Sequence, residues 1–259
     1  TEPPASFDDA DWATTLRRHV RDGLVDYAAL ANDRRPLERF VALLSVAGPH
    51  ATPHLFTTRQ QRLCYYINAY NALAVRAVLE RWPTRTMYEL TGPSLEHGYR
   101  FKVDGQVLSL YEIAQLAIKN AAGDMRVLFT LCAAARGCPQ LAPLPYRPIM
   151  LERQLREAAA RAVANPALVR IDHQARTLRV GMVIFNNRQR LIRWYERRYA
   201  TSGASLLNAL LAMADEARRQ ELNSAVGYRV RMLPFDRTLN ARTTSSAARP
   251  NRQDAFHAG

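Results

Sequence analysis

Apolar positions recur at helical spacing along most of the chain. Trp12, Leu16 and Val20 predict a helix over 11–20, and Leu37, Phe40, Val41 and Leu44 predict a second over 36–45. Between them, Asp22 to Tyr27 carries a glycine turn and a short extended piece. The longest helix is predicted over 58–82, where Thr58 and Gln61 fit a capping box and Pro83 ends the run. Its stripe through Cys64, Asn68, Asn71, Val75 and Val78 places two amides among apolar residues. A buried amide without partners costs roughly 1–3 kcal/mol, so both must be hydrogen-bonded. The plainer reading has Asn68 and Asn71 hold the backbone of a crossing segment, expected to be Arg126–Pro139. The functional reading has them line a site.

Beyond this helix the period shortens. Tyr99–Val103 and Gln106–Leu108 flank Asp104-Gly105, a strong hairpin signal. Ser109 and Glu112 make a second capping box, opening a helix to Asn120. The apolar stretch from Arg126 to Cys132 suits a helix or a strand, and it runs into a turn at Gly137-Cys138-Pro139. A helix is predicted over 150–164, and a second hairpin pairs 169–172 with 177–180. Amphipathic helices are predicted over 189–199 and 206–222, and then a short strand from Tyr228 to Leu233. These elements predict an α+β fold: a mostly helical single domain over 1–242, with a small antiparallel sheet built from two hairpins. The polar, basic composition of 243–259 predicts a disordered tail that folding does not need.

Composition narrows the function classes. At 259 residues the chain can bury a full core. Its apolar runs fall short of the roughly 20 residues needed to span a bilayer. No stretch reads as a signal peptide, and a start at Thr1 suits a trimmed or mature product. The formal net charge is +13, but Lys102 and Lys119 are the only lysines, and the arginines are dispersed along the chain. Dispersal argues against a nucleic-acid partner, since no single stripe of base-and-aromatic interleaving is visible. Cys64, Cys132 and Cys138 are too few for a disulfide scaffold, which leaves one bridge or free thiols. No phosphate-binding glycine loop, HExxH or paired CxxC occurs, so neither a cofactor nor a metal is expected. Cys132 is the candidate thiol nucleophile, with Arg126 and Arg136 as cationic neighbours along the chain.

Ile-Asn-Ala-Tyr-Asn-Ala at 67–72, Ser109-Leu110 after the first hairpin, the Cys-x5-Cys-Pro of 126–141 and the closing Phe235-Asp236-x-x-Leu239-Asn240 occur in one order. In that order and spacing, from about residue 7 to 242, the chain resembles the domain of unknown function 547 family. The resemblance implies a compact, mostly helical α+β domain, often exported in bacteria. Periplasmic or secreted placement follows from it, with the cytoplasm as the alternative. Departures accompany the likeness. Where the family usually shows Ile-Glu-His, this chain has Ile113-Ala114-Gln115, and where it shows Arg-x-His-Phe, this chain has Arg126-Val127-Leu128-Phe129. An expected Ser-Lys is replaced within Gly181-Met182-Val183, and a Trp by Arg237. The groups that move protons near neutral pH are thus missing together.

The leading expectation is a non-catalytic binding or accessory protein, a pseudoenzyme with an unknown small-molecule or protein ligand. Asn68, Asn71, Arg126 and Arg136 are its candidate binding residues. The alternative is a thiol hydrolase or acyltransferase using Cys132 with a relocated base, for which His97 is the nominee. A basic nucleic-acid binder is third. In an oxidising compartment Cys132 and Cys138 are expected to be disulfide-bonded across the turn or close enough to become so, with Cys64 buried and reduced.

Overall fold

The stretch from Arg59 to Glu80 is apolar on nearly every side, and such a helix belongs in the interior. In the computed structural model, which describes residues 6–86 and 95–242, it is the central helix, with almost every side chain from Leu63 to Leu79 buried. The first helices in chain order are α1 (Ala10–His19), α2 (Tyr27–Asn32), α3 (Arg35–Val46) and α4 (Arg59–Glu80). They are followed by α5 (Leu95–Gly98), α6 (Leu110–Asn120), α7 (Leu151–Ala164) and α8 (Met182–Asn186). The last are α9 (Arg188–Tyr199), α10 (Leu206–Met213) and α11 (Glu216–Asn223). Both predicted capping boxes form: Thr58 with Gln61 at α4, and Ser109 with Glu112 at α6.

The strands are β1 (Val20–Arg21), β2 (Leu24–Val25), β3 (Phe101–Val103), β4 (Gln106–Leu108), β5 (Val169–Asp172), β6 (Thr177–Val180) and β7 (Arg229–Met232). The fold is α+β and mostly helical, and both predicted hairpins form. They lie in separate sheets, however, because β3–β4 docks on α3 while β5–β6 packs in another core. The third strand of the second sheet, β7, joins β6 in parallel.

Buried apolar side chains fall into two clusters. One surrounds α4 and takes in α1, α3, β3 and α6. The other lies between α7, α9, α10 and the three-stranded sheet. The segment between α6 and α7 joins them: Val127 packs in the first cluster, and Met125, Leu128 and Phe129 pack in the second.

Three details differ from the sequence pattern. Residues 125–129 form a 3-10 helix, not an α-helix or strand, because Asp124 caps it by accepting from the Arg126 N–H and Thr130 already leaves the helix. The helix predicted over 206–222 is two: Ala214 is extended, and Asp215 caps α11 through the Arg218 N–H. The short helices α2 and α8 were not legible as periodic stripes. The tail expected over 243–259 lies outside the described residues.

Candidate functional site

The closing segment builds the site's floor. Phe235 to Asn240 lies along residues 134–137, with the Arg136 N–H donating to the Thr238 carbonyl (2.9 Å) and the Gly137 N–H to the Asp236 carbonyl (2.9 Å). The Asn240 N–H donates to the Ala134 carbonyl, and the Asn240 carbonyl accepts from the Val25 N–H. Gly137 is needed for close approach: a Cβ there would stand 2.9 Å from the backbone N and O of Asp236.

Above this floor, α4 supplies the two amides, both buried. Asn71 donates to the Thr130 carbonyl (2.8 Å) and accepts from the Cys132 N–H (2.9 Å), as expected of the Arg126–Pro139 segment. Asn68 holds a different strand of chain, donating to the Tyr146 carbonyl and accepting from the Tyr146 N–H, each at 2.9 Å. The expectation that both hold one segment is corrected here: residues three apart on a helix diverge enough to reach two neighbours.

Cys132 is buried. Its sulfur accepts from Asn240 Nδ2 at 3.5 Å, and Asn240 Oδ1 in turn accepts from the Tyr27 hydroxyl at 2.9 Å. Burial pushes the thiol up to about 11, although the N–H groups of Ala134, Asn240 and Leu141 pull the other way. His97 is exposed and stacks on the Tyr111 ring at 4.8 Å, and it is not among the partners of the Cys132 sulfur. Cys64 is pushed up to about 12, chiefly by burial. None of the three cysteines is disulfide-bonded. Cys132 and Cys138 nevertheless border one cleft of about 300 Å³, together with Arg136, Asp236 and Asn240.

Arg126 does other work. Its guanidinium binds Asp124 on one side and Glu152 on the other, with NH2 at 2.6 and 2.7 Å from the two carboxylates. Burial opposes its charge, but the hydrogen bonds to Glu152 and Asp124 overcome this and raise its pKa. The residue thereby clamps the 3-10 helix to α7 and borders neither cavity described here.

On the other side of Cys138 opens a cavity of about 400 Å³. Its wall includes Ala114, Leu128, Leu131, Met182, Val183 and Phe235. Gln115, Asn186 and Arg190 lie at its polar edge. Sequence positions 114, 115, 128, 182 and 183, far apart along the chain, thus face one space. Arg190 donates to Asn187 Oδ1 and forms no ion pair among the described residues.

Residues 55–162 match the sequence profile of a family described as "Protein of unknown function, DUF547". Over these residues, less than half of the chain, the protein is similar to that family. Neither curated proteins nor solved structures yielded a match. The DUF547 segment carries Asn68, Asn71, Arg126, Cys132 and Cys138, while the closing Phe235–Asn240 that seats Cys132 lies beyond the matched residues.

The closing segment also gives a pH prediction. Asp26 caps α2 and pairs with Arg242 at 2.6 Å. Its pKa is lowered by the Ala29 N–H, with burial opposing and Arg242 assisting. A carboxylate held below its unfolded value stabilises above that value and stops doing so as pH falls through the folded one. Arg242→Gln is therefore expected to lower the urea midpoint at pH 7, with the gap to the parent narrowing as pH falls toward about 3. A gap independent of pH would mean that Arg242 acts by packing alone.

Proposed function

We propose that this chain is a non-catalytic binding protein that takes a small, largely apolar ligand with an anionic end in the cavity beside Cys138. One observation carries the reading: Ala114, Gln115, Leu128, Met182 and Val183 converge on one space whose described lining holds no histidine, carboxylate or lysine. The resemblance implies an acid at 114, histidines at 115 and 128, and a Ser-Lys pair near 181–183. An apolar wall with a few polar groups at one edge is the ordinary form of a small-molecule site. Arg190, lacking a carboxylate partner among the described residues, would meet the anionic end.

Two measurements test this reading. Aromatic and aliphatic carboxylates sized for the cavity should raise the melting temperature of the parent and leave Ala114→Trp, which fills the space, unshifted. A ligand at 100 times its Kd stabilises by about 2.7 kcal/mol. Iodoacetamide should leave Cys132 unmodified in the folded protein at neutral pH, because its thiol stays protonated. Alkylation of Cys132 with a midpoint near pH 8 or below would overturn the non-catalytic reading in favour of a thiol enzyme.

A further inference from the structure

In sequence the arginines are dispersed, but pairing of β5, β6 and β7 gathers several of them. The register sets Arg170 beside Arg179, and Arg179 beside Arg231. Side chains alternate across a strand, so these three share one face and form a row across the sheet. Arg229 stands on the same face, two residues along β7, level with Thr177 and Asp172. The opposite face carries Val169, Leu178 and Val180, which are buried in the second core. The arginine face therefore turns outward.

Its charge is poorly matched from within the chain. Asp172 pairs with Arg179 at 3.2 Å, whereas Arg170, Arg229 and Arg231 form no ion pair among the described residues. Like charges set directly opposite on neighbouring strands destabilise a sheet. Holding three guanidinium groups in a row roughly 10 Å wide, at the usual strand spacing, has an energetic cost that an external anion would relieve.

We infer that this face binds a strand of phosphodiester backbone, with single-stranded nucleic acid as the occupant. Arginine forks match phosphate oxygens in pairs, and the open sheet gives a flat track along which a flexible single strand can lay its backbone. A membrane surface fits less well. Met232, the exposed apolar residue of β7, belongs by alternation to the face opposite the arginines and so does not insert beside them.

The test is fluorescence anisotropy of a labelled oligothymidylate or oligouridylate with the full chain. Four phosphate contacts on a single strand predict about 50-fold weaker binding when salt rises from 50 to 200 mM. Arg170→Gln/Arg229→Gln/Arg231→Gln should leave one contact, weaken binding at low salt at least tenfold, and reduce that salt effect to about threefold. Its melting temperature should not fall, since repulsion across the sheet is removed. A control variant, Arg17→Gln/Arg59→Gln/Arg156→Gln, removes equal charge from exposed positions on α1, α4 and α7 and should bind nearly as the parent does. Equal losses in the two variants would overturn the proposal, leaving only net charge. So would absence of oligonucleotide binding at low salt, or arginine-dependent binding confined to vesicles containing phosphatidylserine.

Discussion

The Asn71→Ala protein is expected to lose roughly 3–5 kcal/mol of stability, a fall in melting temperature on the order of 6–20 °C for a domain of this size. The amide makes two buried hydrogen bonds, both to backbone that has no other partner nearby: it accepts from the Cys132 N–H and donates to the Thr130 carbonyl. Alanine leaves both groups in an apolar interior and opens a small cavity on the helix face. The segment concerned also carries Cys132 and lines both cavities, so binding should fail along with stability. Asn71→Asp keeps the acceptor and loses the donor, while placing a carboxylate where burial opposes charge. It should therefore be no milder than alanine at neutral pH. A cost below about 1 kcal/mol for Asn71→Ala would mean that water replaces the amide, and the two buried bonds would not hold the segment. Thermal unfolding followed by circular dichroism decides between these outcomes.

What could be read from sequence alone was local. Both capping boxes, the Asp104-Gly105 turn and the 169–180 hairpin depend on residues within a few positions of one another, and all form. That two amides on α4 must find partners also follows from sequence, because an apolar stripe is buried. Their partners do not follow, since Tyr146 lies 78 residues from Asn68 and nothing local links them. The break at Ala214 was legible in principle: Asp215 is a good cap, but the apolar run before it masked the signal. The arginine row was not legible, because Arg170 and Arg231 meet only through the parallel pairing of β7, which no hairpin rule foresees. The cavity is an intermediate case. The replaced positions were visible as departures, but only the fold shows that they face one another.

Asp104 shows the same divide within one residue, and it gives the second large effect. The sequence explains its backbone: Asp104 and Gly105 take positive φ of 56° and 70°, as the tight turn between β3 and β4 requires. It does not explain the side chain, which is buried. One carboxylate oxygen accepts from the His50 and Ala51 N–H groups at 2.8 and 2.9 Å, and the other from the Tyr66 hydroxyl at 2.8 Å. The Asp104 N–H donates to the Leu44 carbonyl, so the turn is pinned to the end of α3, to the loop after it and to α4. Gly48 makes room for this: a Cβ there would overlap the carboxylate. Asp104→Ala strands three donors and places alanine at positive φ, and it should cost roughly 4–5 kcal/mol, near the top of the range for single substitutions. Asp104→Asn keeps one acceptor oxygen for the loop and tolerates the left-handed conformation, and it should cost about 1–2 kcal/mol. Gly48→Ala should approach the alanine variant, by displacing the carboxylate instead of deleting it. Urea unfolding of the three proteins checks the ordering. If Asp104→Ala and Asp104→Asn unfold at the same midpoint, the buried acceptors do nothing and the turn alone explains the residue.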